Sequence, residues 1–149
     1  MPDGSAAFAL AEAAAFFMLE RKAENVVILD LRGRAEMCDF FVLGDGMADV
    51  QVRAVAESVR DGTAGRGEKV HHVEGLNEGR WVLLDYIDVV VHVFKPEVRG
   101  YYQLERLWGD APRLPVTIDH YRDPEVQARQ VGLPGLPPPV TREDASDGT

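Results

Sequence analysis

The sequence predicts an α/β domain of the α+β kind, a mixed sheet of about five strands with helices packed on it. Two observations lead there. Segments with helical apolar spacing alternate with short β-branched runs, in the order α-β-β-α-β-β-β-α. The stretch "RWVLLDYIDVVVHVF" (80–94) reads as two strands joined by a tight turn at Ile87.

Residues 5–23 predict the first helix. The segment is rich in Ala and Leu, and Phe8, Ala11, Ala15 and Met18 recur on one face. "VVILDL" (26–31) follows as a strand with Gly33 in the turn after it, and "CDFFVLGDG" is a second strand ending in a Gly-rich turn. Val52, Val55, Ala56 and Val59 then stand at i, i+3, i+4 and i+7, the spacing of an amphipathic helix. Asp49 stabilises its start by charge or as a cap, and Gly62, Gly65 and Gly67 are expected to end it. "KVHHVEG" is the third strand and the 80–94 hairpin supplies the fourth and fifth. "PEVRGYYQLERLW" closes the ordered part as a helix, with Pro96 at its first turn and an apolar stripe of Leu104 and Leu107 with Tyr101 or Trp108.

The domain division is expected near Trp108: residues 1–108 as the folded domain, 109–149 as a Pro-rich tail. That tail holds seven of the chain's nine prolines, so it is expected to be largely extended or disordered. "VTIDHY" is the part of it able to dock on the body. Composition is otherwise that of a globular domain, 46% hydrophobic and 28% charged. The apolar stretches fall short of a membrane span. The N-terminus starts acidic and its apolar run is broken by charges, which argues against a signal peptide. Cys38 is the sole cysteine, so no internal disulfide and no cysteine-based zinc site is expected. Cytoplasm is the expected location. A formal net charge of −9 disfavours wrapping bare phosphate backbone and suits a basic protein partner.

Strand alternation tests the candidate sites. Trp81, Leu83 and Asp85 share one face, and Asp88, Val90, His92 and Phe94 share a face opposite Val89, Val91 and Val93. The valine face is expected to be pure core and the Asp88/His92 face partly open. Asp88 and His92 lie roughly 13 Å apart along a strand, whereas zinc ligands converge at about 2 Å from one ion. They share no metal. His71 and His72 are adjacent and point to opposite faces. Asp85 with Asp88 is the carboxylate pair able to hold Mg²⁺ for nucleotidyl transfer, but such a site needs a phosphate seat. The candidate seat, "GDGMAD" (44–49), lacks the Lys and Ser/Thr of a P-loop and carries Asp45 and Asp49. It reads better as a turn. Cys38 has no cation nearby in sequence to activate it and reads as a small core residue.

"DFFVLGDG…QVRAVAE", "VEG…RWVLLDYIDVVVHVF" and "PEVRGYYQLERLW", taken together over about residues 7–108, resemble the ribosomal silencing factor family, also called Iojap. The resemblance implies a fold similar to a nucleotidyltransferase core, without known enzymatic activity and without a cofactor. It implies binding to the large ribosomal subunit, on its intersubunit face, through large-subunit ribosomal protein fourteen. The small subunit is then kept from joining, and translation is damped when nutrients run short. Bacterial members are cytoplasmic, some form homodimers off the ribosome, and neither direct DNA binding nor a membrane is implied.

On that resemblance Trp81 and Tyr102 supply the apolar centre of a partner-binding face, and Leu104 extends it. Asp88 and Glu105 face Arg or Lys on the basic partner. Ordinary packing between the sheet and the last helix is the alternative for Trp81 and Tyr102. His92 matches a family position and is expected to be a hydrogen-bonded structural residue. The chain departs from the family pattern at Met47, Ala48, Asp49 and Val50, where small hydroxyl residues and an Arg are usual. It departs again at Ile87, where the hairpin usually turns on Gly. A β-branched residue disfavours positive φ, so a different turn is expected. Two rivals stand beside steric repression: a metal-dependent nucleotidyltransferase on Asp85 and Asp88, and a homodimeric scaffold with no ribosomal role.

Overall fold

The computed structural model describes residues 5–102, 106 and 109–139, without the side chains of Tyr101 and Tyr102. It holds a six-stranded mixed sheet in the order β3-β4-β5-β2-β1-β6. The strands are β1 (Glu24–Asp30), β2 (Phe40–Asp45), β3 (His72–Glu74), β4 (Trp81–Asp85), β5 (Val89–Phe94) and β6 (Arg113–Pro115). Only the central β2·β5 pair is parallel; the other neighbours run antiparallel. The α+β expectation holds, with one strand more than the five foreseen.

The alternation read from 80–94 is borne out. Val82, Leu84, Val89, Val91 and Val93 enter the main core, under helices α1 (Ala6–Glu20) and α2 (Asp49–Gly65). Val90, Phe94, Trp81 and Leu83 belong to the smaller core on the opposite face, with Leu29, Phe41 and Leu43. Helix α3 (Pro96–Tyr102) adds Val98 there.

Helix α1 departs from its one-faced pattern. Ser5 caps it, accepting from the Phe8 amide at 3.1 Å, but residues 10–18 are buried all the way round. One side meets the sheet and another meets α2. Gly62 belongs to that contact: a Cβ there would come within 2.4 Å of the Phe17 ring. Gly62 therefore lies inside α2 and does not end it, because the helix pair needs its missing side chain more than the helix needs a better former.

The third side of α1 is covered by the segment expected to be a tail. Residues 109–139 are bound to the body. β6 pairs with β1 from Val27↔Pro115 to Leu29↔Arg113. A 3-10 turn (Ile118–Arg122) and helix α4 (Pro124–Arg129) follow. Val116, Tyr121, Val126 and Leu133 are buried in the main core. The prolines that suggested disorder instead punctuate short elements: Pro115 ends β6, and Pro124 opens α4 behind an Asp123 cap. "VTIDHY" docks as anticipated. Residues 140–149 lie outside the described residues.

Candidate functional site

The β4–β5 hairpin positions the sequence-derived site. Trp81 opens β4 opposite Phe94, and Leu83 stands opposite His92. The Trp81 indole N–H donates to His92 Nδ1 at 3.1 Å. That bond puts the neutral ring's proton on Nε2, and Nε2 is buried without a hydrogen-bond partner among the described residues. Burial, with the Phe41 ring edge-on at 4.7 Å and Phe94 stacked at 6.3 Å, pushes the His92 pKa down to about 4. The imidazole is therefore a neutral strut that fixes the indole, matching its expected structural role.

Trp81 itself is only half-buried. With Leu83, Gly75 and Glu74 it lines a shallow groove of about 340 Å³. Gly75 is at φ +80°, and a Cβ there would lie 2.0 Å from the Trp81 carbonyl oxygen. Any other residue would push that backbone away, so the groove's shape depends on this glycine. Gly75 and Leu83 were not singled out from the sequence. The signals were present: Leu83 shares the Trp81 face, and Gly75 ends the "VEG" segment before the strand.

Asp88 sits at the other end of the hairpin, about 20 Å from Trp81 by the strand rise. Its side chain is exposed, while its carbonyl accepts from the amides of Asp39 at 2.7 Å and Phe40 at 3.2 Å. Trp81 and Asp88 are thus two points on one hairpin, not neighbours. Leu104 and Glu105 lie outside the described residues, as does the side chain of Tyr102.

The turn between the strands overturns one expectation. Ile87 takes φ +76° after all. The Asp85 carboxylate accepts from the Ile87 amide at 2.7 Å, and the Tyr86 amide donates to the Val89 carbonyl at 2.8 Å. These bonds hold a β-branched residue where glycine is favoured, with 57% of it exposed.

The same contacts weaken the nucleotidyl-transfer arrangement. Asp85 is engaged as a turn cap, and among the described residues no three His, Cys, Asp or Glu side chains converge on a metal position. The segment read as a turn is the end of β2, through Asp45, followed by Gly46, Met47 and Ala48 before α2, and its glycines serve packing. A Cβ on Gly44 would meet Met18 Sδ at 2.7 Å, and one on Gly46 would meet Val52 at 2.7 Å. Asp45 is buried, bonded by Arg99 at 2.9 Å and Asn25 at 3.0 Å. Its carboxylate occupies the place a phosphate would need, and the Arg99 guanidinium is already engaged by it and by the Asn25 carbonyl. Cys38 is buried, and burial reinforced by Asp39 and Asp85 raises its pKa to about 11, so it is an inert thiol as expected. His72 bonds the exposed Glu74 at 2.9 Å.

What these features define is a mixed-sheet α+β domain whose functional candidates are surface groups on one hairpin. The comparisons agree on the fold and give the family. The family model described as "Ribosomal silencing factor during starvation" matches residues 4–132, and the chain belongs to that family. It is 45% identical over 93 residues to ribosomal silencing factor RsfS of Bacillus subtilis, covering 62% of this chain and 79% of the relative. Protein Iojap of Zea mays chloroplasts is 32% identical over 118 residues, 79% of this chain and 50% of the relative. A crystal structure of a Chromobacterium violaceum protein superposes with a TM-score of 0.66 at 34% identity, covering 67% of this chain and 83% of that one. A Bacillus halodurans structure gives 0.62 at 38% identity, covering 70% and 94%. The protein is thus a ribosomal silencing factor by family. No helix among the described residues is long and apolar enough to cross a membrane.

Proposed function

We propose that this chain represses translation by docking on the large ribosomal subunit through large-subunit ribosomal protein fourteen, and that its bulk blocks joining of the small subunit. The observation carrying this reading is the partly exposed Trp81, held by His92 beside an open groove. A large aromatic fixed beside a groove loses little freedom on binding, which is the property of an interface anchor. In this reading Asp88 and Glu105 meet basic side chains of the partner, and Tyr102 and Leu104 add apolar contacts to it. A net charge of −9 steers the domain toward a basic protein. The reading requires no cofactor and no chemical step, acts in the cytoplasm, and allows a homodimer off the ribosome that competes for the same face.

Co-sedimentation with purified large and small subunits tests it, with Trp81→Ala alongside. The expected outcome is binding to the large subunit alone, lost in the folded variant. Binding to neither subunit at moderate salt would overturn the reading. Equal binding by Trp81→Ala would remove Trp81 from the interface.

A further inference from the structure

Glu12 lies in the middle of α1 with its side chain fully buried. A lone buried carboxylate is costly, so its surroundings must answer it, and among the described residues its donors come from the C-terminal segment. His120 Nε2 donates at 2.6 Å, Arg129 through Nε at 3.1 Å and Nη2 at 2.9 Å, and Gln130 Nε2 at 3.0 Å. Nearby, the Tyr121 hydroxyl donates to the Glu12 carbonyl at 2.6 Å, and Gln130 Nε2 donates to the Ala9 carbonyl at 2.8 Å.

The same segment is tied to itself. Gln127 Nε2 donates to the carbonyls of Tyr121 at 2.8 Å and Pro137 at 2.7 Å. Its last backbone bond to the sheet is Val116 N–H to the Val26 carbonyl at 2.9 Å. Beyond Thr117, among the described residues, the side-chain hydrogen bonds from this segment to the body go to α1. Tyr121 is fully buried and meets the Phe16 ring edge-on at 5.0 Å, and the Arg129 guanidinium covers the Phe8 ring at 5.5 Å. The arrangement is a strap hinged after β6 and pinned at one carboxylate.

We propose that residues 117–136 form a separable strap, seated on α1 by the Glu12 carboxylate, which opens as a unit while the sheet stays folded and which acid releases. Opening uncovers the apolar side of α1 around Phe8 and Phe16. The groups facing Glu12 are His120 and Tyr121 of the 3-10 turn and Arg129 and Gln130 of α4. Asp123 and Glu125 reinforce the charge on Arg129. Burial alone would raise the Glu12 pKa; the bonds from His120, Arg129 and Gln130 and the Arg129 charge outweigh it and hold the group below the ordinary carboxylate range. A depressed carboxylate stabilises the seated strap above the ordinary value, near 4.5, and that contribution is lost as pH falls through the folded value.

Hydrogen exchange of the full chain, read by mass spectrometry, tests this. The comparison is between peptides from 118–133 and peptides from β5. At pH 7 the strap is expected to exchange through openings that leave β5 protected. Glu12→Gln is expected to lower strap protection at least tenfold and leave β5 unchanged. Below pH 4.5 the difference in strap protection between wild type and variant, taken at the same pH, is expected to close as Glu12 takes up its proton. If Glu12→Gln fails to fold, Arg129→Gln serves, with a smaller loss confined to the strap. Equal loss of protection in strap and β5 in either variant would overturn the proposal. So would a difference in strap protection between wild type and Glu12→Gln that persists unchanged below pH 4.5.

Discussion

The two polar clusters of this domain are opposites. Around Glu12 a buried charge is met by donors to both its oxygens, and the chain's own C-terminal segment seals the site. Around Trp81 a buried neutral imidazole spends one nitrogen on an indole that remains half in water, beside an open groove. A buried carboxylate bonded at both oxygens is rigid and sealed from a partner, and the unbonded Gln130 Oε1 beside it is buried with it. A rigid aromatic with one side uncovered has surface to give. The contrast teaches where to look for binding in this fold: on the hairpin, and not at the cluster with the most charge.

Four experiments would break or sharpen that contrast. Tyr121→Ala removes a fully buried ring and the hydroxyl bond to Glu12, and should cost about 3–5 kcal/mol, read from the midpoint of urea unfolding. A loss under about 1 kcal/mol would make the C-terminal segment an accessory covering. Next comes acid stability. His92 titrates near 4 in the fold against about 6.5 unfolded, so between those values the unfolded chain binds the extra proton and stability falls as pH falls. The loss should reach about 3 kcal/mol below pH 4. His92→Phe should flatten the slope between pH 4 and 6.5, and an unchanged slope would assign it to other groups. Third, Trp81→Ala should weaken large-subunit binding by about 2 kcal/mol, roughly thirtyfold in Kd, measured by titrating subunits; a change under threefold would move the anchor elsewhere. The smallest effect is Ile87→Gly. Relief of the left-handed strain, reduced by glycine's greater unfolded freedom, should leave the domain more stable by up to about 1 kcal/mol. Destabilisation would mean that the exposed isoleucine packs on something in solution.

Period-2 alternation made the hairpin legible. It put Trp81 with Leu83 on one strand and set Val90, His92 and Phe94 against Val89, Val91 and Val93 on the other, because side-chain direction along a strand is a local property; the pairing of Leu83 with His92 came from the structure. The strand rise alone also separates Asp88 and His92 too far for a shared metal. The C-terminal segment was not legible in the same way. Its prolines resemble those of an unfolded linker when read locally, and nothing in "HYRDPEVQARQ" says that His120, Arg129 and Gln130 meet a carboxylate 108 to 118 residues away.

The sequence by itself determined the α+β class, the order of the elements up to the last helix, the two faces of the hairpin and the family. Those rest on periodicity and on motif spacing, both written within short windows. Only the tertiary structure decided that α1 is buried on every side, that Gly62 lies inside α2 to admit Phe17, and that Ile87 accepts a left-handed turn. It also decided that Glu12 sits charged in the core. Each of these is set by what another part of the chain brings to the residue, and packing of distant segments overrides local preference wherever the two conflict.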